Sequence, residues 1–181
     1  MSDTGWVNPG TGSEVVLSGS VVDWSNESNI LAPNSNYASS GSWGDYSSYL
    51  FASNFGFEIP NGADIDGIEV TVKGYTTQNQ TYDYSLRLSI AGNPSGDNNA
   101  SATYYALSNN TREYGSSVDL WGLTPTTLQV NNTNFGVMLS ITDSLGPENI
   151  YIDNIQIKVY YTEGGTPTVG AGYPLPPFKN S

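Results

Sequence analysis

The chain has no cysteine and no histidine, and only five basic residues among its 181. The missing cysteines remove disulfides and thiolate chemistry. The two absences together remove the usual zinc sites, Ser–His and Cys–His nucleophile pairs and histidine general bases. They leave the compartment open, because many extracellular β-domains also lack disulfides. Against 17 acidic residues the few cations give a net charge of −12, and Lys73, Arg87, Arg112, Lys158 and Lys179 are scattered along the chain. Nucleic acids and anionic membranes are held by clustered Lys and Arg, so neither is an expected partner. No run of 18 or more apolar residues is present, so no helical membrane span is expected. Residues 1–10 carry neither a basic nor an apolar leader region, and the expectation is synthesis in a cytoplasm without signal-directed export.

What remains is polar, uncharged and aromatic. Charged residues make up 12% of the chain, about half the usual share, beside 37% apolar and 12% aromatic residues. A disordered chain would show the reverse balance. In residues 63–75, Ile68, Val70 and Val72 alternate with Glu69, Thr71 and Lys73, the period of two that marks a strand with one buried face. The pattern recurs in residues 151–161, where Ile152-Asp153, Ile155, Ile157 and Val159 repeat Ile65-Asp66, Ile68, Val70 and Val72. An Asn-Phe-Gly precedes each copy, at 54–56 and 134–136. Residues 82–91 alternate Tyr82, Tyr84, Leu86, Leu88 and Ile90 against Asp83, Ser85, Arg87 and Ser89. The short gap at 78–81 predicts a hairpin between this strand and 63–75. Further strands are expected within 14–23, 46–59, 103–107, 112–120, 135–142 and 150–162. Residues 24–44 read as a long loop anchored by Trp24, Ile30, Leu31, Tyr37 and Trp43, and 121–128 as a loop with a helical turn.

About eight strands separated by turn signals predict an all-β fold, a jelly-roll-like antiparallel β-sandwich, over residues 1–162. Residues 163–181 form a Gly/Pro-rich extended C-terminal arm. Its Tyr173-Pro-Leu-Pro-Pro-Phe178 favours polyproline II, and Tyr173, Leu175 and Phe178 are the side chains expected to contact a neighbouring subunit or the arm's own domain.

Four groups are candidates for function. Asp64 and Asp66 lie two apart at a strand start, about 7 Å between Cα atoms, a carboxylate pair of the kind glycoside hydrolysis uses. Acids at strand entries ordinarily accept turn amides, so no catalytic residue is assigned. Asp64, Asp66 and Asp153 are the oxygen donors that calcium, the one cofactor considered, would take, although they match no known calcium loop. The tryptophans lie outside the strong strands, and Trp24 and Trp43 are the expected surfaces for stacking a glycan. The arm is the fourth.

Read in order, Trp6-Val-Asn-Pro9, Tyr49-Leu-Phe-Ala-Ser-Asn-Phe-Gly-Phe-Glu-Ile-Pro60, Ile65-Asp-Gly-Ile68, Val118-Asp-Leu-Trp-Gly-Leu123, Asn134-Phe-Gly-Val137 and Ile152-Asp-Asn-Ile155 resemble tailed-bacteriophage virion structural proteins over about residues 6–161. That resemblance implies a non-enzymatic virion component. The leading expectation is a homo-oligomeric capsid decoration or cement protein made in the host cytoplasm, bound to the major capsid protein through its loops and arm. The alternatives are a carbohydrate-binding module of a tail fibre or surface adhesin, and an extracellular filament subunit joined by its tail.

Overall fold

The computed structural model describes residues 1–42, 45–144 and 148–164. These residues form two antiparallel sheets packed face to face, a β-sandwich as the alternation predicts. The strands are β1 (Ser2–Asp3), β2 (Thr11–Val15), β3 (Trp24–Ser25), β4 (Ala38–Ser42), β5 (Tyr49–Ser53), β6 (Asp64–Thr76), β7 (Thr81–Ile90), β8 (Asn93–Ser95), β9 (Asn110–Ser116), β10 (Gly136–Asp143) and β11 (Glu148–Thr162). The first sheet runs β3-β4-β11-β6-β9, with β1 also on β11, and the second runs β2-β5-β10-β7-β8. The expected hairpin between residues 63–75 and 82–91 does not form, because β6 and β7 belong to opposite sheets. The 24–44 stretch is also more regular than expected. It holds β3, a 3₁₀ turn at Glu27–Ile30, and β4 paired with the start of β11.

The core is what the alternating residues bury between the sheets. Ile68, Val70 and Val72 of β6 and Ile155, Ile157 and Val159 of β11 meet Leu50, Leu86, Leu88, Val137 and Leu139 of the second sheet, and all are fully buried. Each such side chain contributes about 1.5–3 kcal/mol over leaving it in water. A smaller apolar group, Tyr49, Phe51 and Met138 with Val15 and Leu17, forms on the outward face of the second sheet.

β6 and β11, the two echoed strands, are direct neighbours, and the echo has a structural meaning. On β6, Ile65 and Gly67 face the adjacent residues Tyr161 and Tyr160, so Asp66 is an extra, unpaired residue. On β11, Ile152 and Asn154 face the adjacent residues Gly74 and Lys73, so Asp153 is the extra residue. Each strand therefore carries one β-bulge, and because the strands run antiparallel the bulges sit at opposite ends. A bulge resets the inward–outward phase. That is why Ile65 and Ile68, and likewise Ile152 and Ile155, all point inward although they are three residues apart rather than two.

Candidate functional site

A third bulge shapes the surface that stands out chemically. Ser140 and Ile141 of β10 are adjacent, but they pair with Ser85 and Asp83 of β7, leaving Tyr84 unpaired. Strict alternation would put Tyr84 inward with Leu86 and Asp83 outward. The bulge reverses both: the Asp83 side chain is fully enclosed and Tyr84 is 45% exposed.

Asp83 is buried together with its partners. Its Oδ1 accepts from the Tyr105 hydroxyl at 2.8 Å and from Arg112 Nη1 at 3.1 Å. Its Oδ2 accepts from the Tyr114 hydroxyl at 2.7 Å and from the Ser101 backbone N–H at 2.9 Å. The Arg112 guanidinium lies 3.8 Å from the Tyr105 ring centroid and donates to the Thr103 carbonyl. Burial, reinforced by the Asp83 charge, pushes the Tyr105 and Tyr114 phenols well above the ordinary tyrosine value, so both donate at any pH the fold meets. A buried ion pair is tolerated when every lone pair is used in this way. The network ties residues 101–105 and β9 to β7.

Above it lies a depression of about 370 Å³ lined by Ser101, Thr103, Tyr104, Ala106, Asn110, Arg112, Glu113 and Tyr114. Tyr104, 43% exposed, stands on its wall. Its ring meets Tyr82 edge-on at 5.8 Å, and its hydroxyl donates to Ser144. Beyond the bulge Tyr84 stacks on Tyr46 with the planes 5° apart and the centroids 4.2 Å apart. Four tyrosines thus gather at one end of β7, two of them offering open ring area beside a polar hollow.

The residues singled out from sequence are dispersed. Asp64 is exposed at the start of β6, and Asp66 accepts a hydrogen bond from the Thr162 hydroxyl at 2.7 Å. Asp153 lies at the far end of the same strand pair, about 25–30 Å away at the strand rise, so the three cannot ligate one calcium ion. Asp153 is also fully engaged. Lys73 Nζ and Asn109 Nδ2 each lie 2.9 Å from Oδ2, while the Asn34 and Ser35 backbone N–H groups donate to Oδ1. Burial alone would raise its pKa, but the bonds from Lys73, Asn109 and Ser35 outweigh it and hold the carboxyl below its ordinary value. Among the described residues no group of three or more acidic side chains could hold a metal ion.

Trp24 is not a glycan surface. It is buried, and its indole N–H donates to the Ser48 carbonyl at 2.9 Å. Trp121 is likewise enclosed and bonded to the Ile68 carbonyl. The exposed tryptophan is Trp6, which Lys158 covers at 4.4 Å from the ring centroid. Trp43, Tyr173, Leu175 and Phe178 lie outside the described residues. The tyrosine group at β7 was missed because only the bulge turns Tyr84 outward.

No protein-family model matches the chain and no curated protein matches it, so neither comparison speaks to the virion resemblance. Two solved structures with similar folds are a CBM4 carbohydrate-binding module (TM-score 0.39, 12% identity, 84% of this chain and 93% of that one) and the CBM22-1–GH10 modules of Clostridium thermocellum endo-1,4-β-D-xylanase 10B in complex with xylohexaose (TM-score 0.33, 17% identity, 93% of this chain and 28% of that one). Both are distant, and the site is read from its own geometry.

Proposed function

We propose that this β-sandwich is a non-catalytic carbohydrate-binding module that holds a saccharide in the depression beside β9, with Tyr104 as a stacking surface. The observation that carries the reading is open tyrosine area beside a polar hollow whose floor is locked by the Asp83 network. A sugar ring has apolar C–H faces and a hydroxyl rim. It therefore suits a flat aromatic wall combined with short polar side chains such as Ser101, Thr103 and Asn110. A floor that is already ordered leaves little entropy to lose on binding. Arg112 is committed to Asp83 and Glu113 adds negative charge, so a neutral glycan fits better than an acidic one. Such a module is a recognition part for a fibre or an adhesin. This reading comes before capsid decoration because no feature of the described residues speaks for a capsid contact.

Calorimetric titration against a panel of soluble neutral polysaccharides, including xylan, mixed-linkage glucan and mannan, tests it. At least one should bind, and Tyr104→Ala should weaken that binding about tenfold with the far-ultraviolet spectrum unchanged. Leu128→Ser, on an exposed side chain elsewhere, should leave it intact. Failure to bind any glycan, or equal binding by Tyr104→Ala, would overturn the proposal.

A further inference from the structure

A larger hollow of about 450 Å³, built from different residues, opens where β6 begins. Gly62, Ala63, Asp64, Ile65, Leu120 and residues 124–127 line it. A smaller one of about 160 Å³, lined by Ile90, Leu123, Thr124, Pro125 and Gln129, lies across the Thr124–Pro125 ridge that both share. The walls are largely aliphatic. Val118 and Leu128, on the same stretch of chain, are 74% and 77% exposed, an unusual loss of apolar contact for two neighbouring segments.

The chain leaves the sandwich beside this hollow. Thr162 pairs with Asp64, which lines it. Two residues later Gly164 packs so closely on the Gly62 carbonyl that a side chain there would have no room. From that point nine residues, including Gly165, Gly170 and Gly172, lead to Tyr173-Pro-Leu-Pro-Pro-Phe178. Nine flexible residues span about 16 Å on average and about 30 Å at full stretch, enough to double back. Six residues of polyproline II are about 19 Å long, a length that crosses the ridge and enters both hollows. A tether of this kind gives an effective concentration on the order of millimolar, which favours the chain's own arm over a neighbour's.

We infer that residues 173–178 dock in the hollow of their own sandwich, with Tyr173, Leu175 and Phe178 covering the aliphatic wall around Leu120 and Pro125. The arm is then an intramolecular plug over a docking surface. The saccharide site, made of other residues, is unaffected by its position.

Amide spectra of the full chain, compared with those of the full-length Leu175→Asp/Phe178→Asp variant, test this, with light scattering to fix the mass. Expected are shifts at Ala63, Ile65, Leu120 and Thr124 in a chain that is monomeric in both forms. Thr124→Trp, which fills the hollow from its rim, should reproduce the variant's spectrum for the arm. Unchanged amides at those four positions would overturn the inference. So would shifts that appear only in a dimer and fade on dilution, since they would assign the hollow to a second copy's arm.

Discussion

At the scale of single residues, two buried aspartates do structural work that sequence alone disguised. Asp153 joins the 34–35 turn, Asn109 and Lys73 across three segments, and its carboxyl is held below the ordinary value. A depressed pKa in the folded state means that its stabilisation is present above the unfolded value, near pH 4. It is lost as pH falls through the lower folded value. Asp153→Asn should therefore cost about 1–3 kcal/mol at pH 7. The gap to the parent protein should narrow as the pH approaches 3, measured by urea unfolding across that range. A gap that stays constant with pH would show that the charge is not what stabilises the site. Asp153 had stood out as an oxygen donor, which its chemistry allows. Its surroundings, a lysine, an asparagine and two backbone amides from distant parts of the chain, leave no local mark. Trp24 shows the same limit: residue type suggested a stacking surface, but Ser48, 24 positions away, supplies the carbonyl that lets the indole be buried.

At the scale of elements, alternation disclosed the long strands well and the bulges hardly at all. β6, β7, β10 and β11 all fall where the period of two placed them. The two bulges of the β6–β11 pair were legible in one respect, the spacing of three between Ile65 and Ile68 and between Ile152 and Ile155. β7 offered no such mark, since Tyr84 is apolar enough to pass for an inward residue, and the candidate site stayed hidden with it. The short strands β1, β3 and β8 depend on long-range partners and carry no periodicity. Gly74, opposite the Asp153 bulge, gives a test of how tightly that element is built. A Cβ there would lie 2.5 Å from the Tyr151 carbonyl oxygen and 2.8 Å from Ile152 Cδ1. Gly74→Val improves strand propensity, yet it should destabilise by about 1–3 kcal/mol through overpacking. A chemical-denaturation midpoint equal to or above the parent's would contradict the tight fit.

For the whole molecule, the dominant electrostatic fact is an excess of twelve negative charges with three ion pairs among the described residues to offset it. Unscreened self-repulsion favours the expanded chain, and salt screens it over about 10 Å at 0.1 M. Raising sodium chloride from 10 to 200 mM should raise the melting temperature, by about 2–4 °C for each kcal/mol recovered in a chain of this size. A fall would mean that the ion pairs outweigh the repulsion. The same acidity makes acidic glycans poor ligands, a whole-molecule reason for the neutral choice made at the site.

A strand pattern with a period of two has a weakness. Sliding one strand past its neighbour by two residues keeps every apolar side chain on the correct face, so hydrophobicity alone does not forbid the error. In the β6–β11 pair such a slide moves Asp66 and Asp153 off the residues that receive their bulges, Gly67–Tyr160 at one end and Gly74–Lys73 at the other. It would also press Asp153 away from Lys73. The two bulges therefore work as end stops. One blocks travel in each direction, and the longest strand pair in the molecule can zip up in a single alignment.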